Sequence, residues 1–143
     1  MAKRILGLDY GSQRIGVAIS DPLNITARPL TTFQCDDDVF RNLLMLAQEE
    51  SVEVFVVGMP YNLKGEKGQK AKEVQDFIDK LKEQTGCQVI QWDERFTTVM
   101  AQQTLLTMGT KRKDRNQKSG KLDQMAAAIL LQSYLDSNQH QKL

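Results

Sequence analysis

"RILGLDYGSQRIGVAISD", residues 4–21, holds two apolar runs separated by a short polar turn, and its reading decides the architecture. The first run, residues 3–9, has the length and apolarity of a strand buried on both faces. The second, "RIGVAISD" (14–21), reads as another strand, and "ITARPLTTF" (25–33) as a third, with turns rich in Gly, Asp, Pro and Asn between them. Parallel neighbours need a long crossover, so three strands joined by short turns predict an antiparallel meander. The first strand ends on a carboxylate, Asp9, and the turn after it contains Gly11. An acid in that place either closes a turn or faces something charged.

Downstream the pattern changes period. "DDDVFRNLLMLAQEE" (36–50) begins with acids suited to a helix N-terminus and repeats apolar residues at Phe40, Leu43, Leu44 and Ala47. "VEVFVVGMP" (52–60) is a buried strand, and "YNLKGEKGQ" (61–69) a polar loop. A helix follows with Val74, Phe77, Ile78 and Leu81 on one face, stopping near Gly86, before the strand "CQVIQW" (87–92). Further helices are expected from about Thr97 to Met108 and from about residue 120 to 136. The order βββαβαβαα predicts an α/β domain whose mixed five-stranded sheet, three antiparallel strands and then parallel ones, carries helices on both faces. One domain spans residues 1–138, with a polar tail, 139–143, expected to fray.

Composition narrows the chemistry. The 143 residues are 41% hydrophobic and 26% charged, in the range of one globular domain, and the net charge of +1 selects no partner. Cys35 and Cys87 lack CxxC spacing, which points to a reducing compartment and excludes a cysteine zinc site. The one histidine, His140, lies in the polar tail, so a histidine triad or multi-histidine metal site is excluded. The four residues "ILGL" fall short of the roughly 7–15 of a secretory apolar region and the roughly 20 of a membrane span. A cytoplasmic protein with no membrane partner is expected.

Acid–base or metal chemistry therefore falls to carboxylates, lysines and hydroxyls. Asp93 and Glu94 close the last strand in "QVIQWDERFTT", and adjacent strand residues point to opposite faces, so spacing admits either but not both to one site. Arg95 beside them could neutralise either acid. Asp123 heads the helical stripe Ala126, Ala127, Leu130 and Tyr134, and an inward-facing acid seeks a partner. Convergence of Asp9, one of the 93–94 pair and Asp123 would require cations. Mg²⁺ takes such oxygen ligands together with substrate phosphates, and two ions about 3.5–4 Å apart stabilise both the attacking and leaving oxygens of a phosphodiester. Gly11 would then leave room for a phosphate beside Asp9.

"TKRKDRNQKSGKLD" sets Lys111, Arg112, Lys113, Arg115, Lys118 and Lys121, within eleven residues, against one acid, Asp114, and leads into the helix of Asp123. A solvated charge run has this composition too; its position next to the acids favours a grip on a polyanion, through phosphates and without sequence choice.

In "GLDYGSQRIGVAISD", "VVGMPYNLKG", "DERFTT" and "DQMAAAILLQSYL", in that order, the chain resembles the YqgF-like family of pre-16S ribosomal RNA nucleases, also described as Holliday junction resolvases. The resemblance implies a ribonuclease H-like fold. It matches Asp9, Glu94 and Asp123 to the catalytic, metal-holding acids, favouring Glu94 over Asp93. It also implies Mg²⁺ or Mn²⁺ as cofactor and a nucleic-acid substrate, pre-ribosomal RNA before branched DNA, with a link to ribosome assembly. Arg95, Lys111, Arg112, Lys113 and Arg115 would hold the nucleic acid, with Gly11, Asn62 and Thr97 at the rim by proximity. Related junction resolvases carry a further acid where this chain has Ala126. Two other classes share parts of the pattern. "GLDYGSQRIGVA" resembles the first phosphate loop of actin-like and sugar-kinase ATPases, which need two such domains where this chain has length for one. A non-catalytic nucleic-acid adaptor would keep the basic loop without needing the acids.

Overall fold

The computed structural model describes residues 3–61, 64, 65, 67–97 and 120–141. Thr97, where a helix is expected to start, is extended; the rest of that helix, 98–108, lies outside them, as do Asn62, Lys111, Arg112, Lys113, Arg115 and Lys118. In chain order the elements are β1 (Arg4–Tyr10), β2 (Arg14–Ser20), β3 (Ala27–Gln34), α1 (Val39–Glu49), β4 (Val52–Met59), α2 (Gln69–Thr85) and β5 (Gln88–Asp93). A 3₁₀ turn, Glu94–Phe96, and α3 (Gly120–Gln141) follow.

The sheet order is β3-β2-β1-β4-β5. The meander is antiparallel, and β4 and β5 add to β1 in parallel, as their helical crossover requires. Alternation along β1 divides the core. Leu6 and Leu8 join Val39, Leu43, Ala47, Val74, Phe77, Ile78 and Leu81 under α1 and α2. Ile5 joins Ala18, Val56, Ala127, Ala128, Leu131 and Leu135 under α3. Asp9, two residues along from Gly7 and four from Ile5, shares the α3 face.

Differences from the sequence reading lie at element ends. The helix expected from residue 36 begins at Val39, because the Asp36 carboxylate accepts the Asp38 amide at 3.0 Å and turns the chain first. The third strand begins at Ala27 rather than residue 25, because Asp21 Oδ1 accepts the Ile25 and Thr26 amides at 2.7 and 3.0 Å. Gly86 ends α2 as expected, in the left-handed region at φ 70° with its amide on the Lys82 carbonyl. The last helix continues to Gln141 rather than stopping near 136, so residues 139–141, expected to fray, have helical backbone. The polar "SNQHQ" run contains no helix breaker, and lack of apolar residues alone does not stop a helix.

Helix α3 lies unusually close to the sheet because glycines meet it. A Cβ on Gly7 of β1 would stand 2.7 Å from Leu131 Cβ, and one on Gly16 of β2 would stand 2.0 Å from the Asp123 backbone oxygen. Gln132 fastens the helix further. Its buried amide accepts from Ala27 N at 2.9 Å and donates to the Ile25 carbonyl at 3.0 Å. Among the described residues no helix is long and apolar enough to cross a membrane.

Candidate active site

Asp9 stands at the centre of a row that runs across three strands. Gly16 of β2 is its antiparallel partner. On the other side β1 pairs with β4 through Leu8 and Val57, so the next residue along β4 is Gly58. Neither glycine offers a side chain, and each gap is covered by another acid. The backbone of Asp123 lies over Gly16. Glu94 lies over Gly58, where a Cβ would stand 2.7 Å from Glu94 Oε1 and 3.1 Å from Leu130 Cδ2. A cleft of about 220 Å³ opens here, lined by Asp9, Glu94, Thr97, Ala126, Ile129 and Leu130.

Asp93 and Glu94 send their carboxylates to different surroundings. Asp93 caps the 3₁₀ turn. Its carboxylate accepts the Arg95 amide at 2.9 Å and the Arg95 guanidinium at 3.0 and 2.6 Å. These bonds hold its carboxyl below the usual range, against a smaller opposing effect of burial. Glu94, one residue on, turns to the α3 face and into the cleft. Arg95 is thereby engaged, and its guanidinium also lies 5.7 Å from the centroid of the Tyr61 ring, joining that loop to the turn.

Asp123, in the first turn of α3, meets Arg14, whose Nε is 3.0 Å from Oδ2. The approach lacks hydrogen-bond alignment, and that buried oxygen has no hydrogen-bond partner among the described residues. Among the described residues no arginine pairs with Asp9 or Glu94. Burial pushes the Asp9 carboxyl up to about 6; Glu94 pushes the same way, Lys70 opposes, and Asp123 adds to the rise. Burial likewise raises Glu94, with Lys70 opposing and Asp93 reinforcing. The site thus holds more negative charge than its described surroundings neutralise, with one carboxylate oxygen buried and orphaned.

Those features suit a hard divalent cation, which binds carboxylate oxygens and offsets mutual repulsion. In the present arrangement, no group of three Asp, Glu, His or Cys side chains among the described residues is tight enough to hold an ion. Asp9 and Glu94 share an open cleft rather than a closed cage.

Gly11 lies in the tight β1–β2 turn, where its amide donates to the Arg14 carbonyl at 3.0 Å and a Cβ would stand 2.7 Å from that oxygen. The turn by itself accounts for glycine there. Thr97 lines the cleft. The sequence reading missed Arg14, Lys70, Gly16 and Gly58. Arg14 carried a signal, as a charge opening an apolar strand. Lys70 carried none, because only the placement of the first turn of α2 brings its charge toward Asp9.

This arrangement of sheet and helices is the ribonuclease H-like fold. It matches T. thermophilus RuvC in complex with Holliday junction substrate at a TM-score of 0.60 and 13% identity, over 94% of this chain and 96% of that one. It also matches fowlpox virus resolvase with Holliday junction DNA at a TM-score of 0.53 and 19% identity, over 94% and 98%. The RuvX family, described as Holliday junction resolvase, matches residues 3–137, and the chain belongs to it. A protein of Ruminiclostridium cellulolyticum named "Putative pre-16S rRNA nuclease" is 42% identical over 136 residues, 93% of this chain and 94% of its own. One of the same name from Acetivibrio thermocellus is 43% identical over 138 residues, covering 94% and 96%.

Proposed function

We propose that this protein is a divalent-metal-dependent nuclease that hydrolyses phosphodiesters in precursor ribosomal RNA, trimming the 5′ end of pre-16S RNA in the cytoplasm during ribosome assembly. The observation that carries this reading is the pairing of Asp9 and Glu94 in one cleft with their charge unneutralised. In this reading Asp9, Glu94 and Asp123 hold Mg²⁺ or Mn²⁺. The bound ion supplies Lewis-acid stabilisation at the phosphorus and a more acidic water. The residues around it prepare the cleft. Gly58 lets the Glu94 carboxylate lie flat against β4, and Gly16 lets the first turn of α3 descend to Asp9. Arg14 holds Asp123 in place, and Lys70 restrains the repulsion between Asp9 and Glu94. Arg95, Lys111, Arg112, Lys113 and Arg115 hold the nucleic acid, with Gly11, Asn62 and Thr97 at the rim.

A second reading, cleavage of branched DNA, draws support from the description of the family. Against it stands Ala126, which lines the cleft where related junction resolvases carry another acid.

The test is a cleavage panel of pre-16S RNA, single strands and four-way DNA junctions with Mg²⁺, Mn²⁺ or chelator. Metal-dependent cleavage of the RNA is expected, abolished in Glu94→Gln and retained within about tenfold in Asp93→Asn. Preference for the junction selects the second reading, and chelator-resistant cleavage removes the metal-dependent mechanism.

A further inference from the structure

Ser133 lies on α3 ten residues beyond Asp123, about 15 Å along a helix, and is 4% exposed. A helical serine commonly bonds back to the carbonyl four residues earlier. This one reaches to another element. Its hydroxyl donates to the Phe96 carbonyl oxygen at 2.9 Å and accepts from the Trp92 indole Nε1 at 3.3 Å. Both contacts flank Glu94. Trp92 precedes it near the end of β5, and Phe96 closes the 3₁₀ turn that Glu94 opens. The Trp92 ring stands edge-on to Phe96, centroids 5.6 Å apart, and to Tyr134 of α3 at 5.5 Å.

Bonds within the turn set its shape. Asp93 accepts the Arg95 amide, and the Thr97 amide donates to the Glu94 carbonyl at 3.1 Å. Arg95 ties the turn to Tyr61 on one side, and Ser133 ties it to α3 on the other. Ser133 is buried at this contact. A hydroxyl there must be satisfied to be tolerated, and Ser133 is satisfied by the segment that carries Glu94.

We propose that Ser133 is a positioning residue, a latch that fastens the Glu94 turn to the helix carrying Asp123 and so sets the spacing between those two acids. Its consequence for cleavage rests on the nuclease reading; the latch itself does not. Helix α3 thereby works as a ruler, with Asp123 at its start and the anchor of Glu94 further along.

The test compares wild type, Ser133→Ala and Ser133→Thr in the full-length protein. Hydrogen exchange at residues 94–97 and the emission of Trp92, the sole tryptophan, report the latch; kcat and KM for RNA cleavage report its consequence. Ser133→Ala is expected to speed exchange at 94–97 at least tenfold over the change elsewhere and to shift Trp92 emission. It should lower kcat at least tenfold with KM within twofold. Ser133→Thr, which keeps the hydroxyl, should restore kcat and exchange to within about threefold of wild type. Unchanged exchange at 94–97 in Ser133→Ala overturns the latch, whatever the activity. Faster exchange with undiminished kcat overturns its role in positioning Glu94. If the wild type cleaves no substrate, the nuclease reading fails instead, and exchange with emission decides the latch alone. Should Ser133→Ala fail to fold, Ser133→Thr decides: wild-type exchange at 94–97 supports the latch and accelerated exchange overturns it.

Discussion

Replacing Asp9 with asparagine keeps the shape of the side chain and removes its charge, so the variant measures what that charge costs the fold. Burial, reinforced by Glu94 and Asp123 and opposed by Lys70, raises the Asp9 carboxyl from 3.8 to about 6. A carboxyl whose affinity for protons rises on folding makes the folded state bind more protons than the unfolded one between these values. Stability therefore falls as pH rises from about 4 to about 6, and the loss is complete above that range. At about 1.4 kcal/mol for each factor of ten in proton affinity, the charge costs about 3 kcal/mol at pH 8. Asp9→Asn should accordingly be more stable than wild type by up to that amount at pH 8, roughly 10 °C in Tm for a domain of this size. The two should converge near pH 4, where Asp9 is protonated. Calorimetric melts in chelator across pH 4–8 make the comparison. Mg²⁺ or Mn²⁺ should then raise the Tm of wild type, because an ion bound only to the folded state stabilises it, and leave the variant nearly unmoved. A variant no more stable than wild type at pH 8, or a difference that persists unchanged at pH 4, refutes the claim that Asp9 is held at a site lacking its counter-charge.

Three more outcomes follow from the same geometry. Gly16→Ala drives a Cβ to 2.0 Å from the Asp123 backbone oxygen; α3 must lift, and urea titration should show a loss of about 3 kcal/mol or more. Gly58→Ala meets the flexible end of Glu94 at 2.7 Å, so it should cost only about 1 kcal/mol in the same titration yet lower kcat at least tenfold by displacing the carboxylate. Replacing Lys111, Arg112, Lys113 and Arg115 together with alanine should weaken RNA binding and flatten the dependence of log affinity on log salt by roughly 3. Filter binding at several salt concentrations checks this, and an unaltered slope refutes the proposed phosphate grip.

The elements of the fold were legible because their apolar periods were strong. The alternating and continuous apolar runs of β1, β2 and β4 and the stripe Val74, Phe77, Ile78 and Leu81 each admitted one reading. Their ends were less so, because short side-chain bonds decide them. Asp36 and Asp21 capture neighbouring amides and delay α1 and β3, and aspartate in a sequence does not say which amide it takes. For the site, the acids were legible as charges ending apolar segments. The glycines that seat them were not. Gly16 and Gly58 look like strand-weakening residues until α3 and the Glu94 turn are placed on top of them. Alternation along β5 said that Asp93 and Glu94 diverge, but the direction of each depended on which face α3 covers. Sheet order and helix placement settle that; local pattern does not.

The distribution of counter-charge separates the acids of a site from the acids of a scaffold. Asp93 and Asp38 each meet an arginine two or three residues away, at 2.6 Å, in contacts that close a turn and end there. Asp123 meets Arg14 from another element, yet keeps a buried oxygen without an aligned donor. Asp9 and Glu94 line one cleft, with Lys70 as the cation that acts on both. A fold selected for stability alone would place an arginine or an apolar residue in such a cleft, since uncompensated buried charge is the costlier choice. Here the strands on either side of Asp9 carry glycine, which offers no partner and brings two further acids nearer. That arrangement raises the electrostatic cost of the folded state at neutral pH and lowers it again once a cation enters. Asp9 thus carries a charge that costs the folded protein stability and that an ion would offset, which is why stability and metal response should change together in Asp9→Asn.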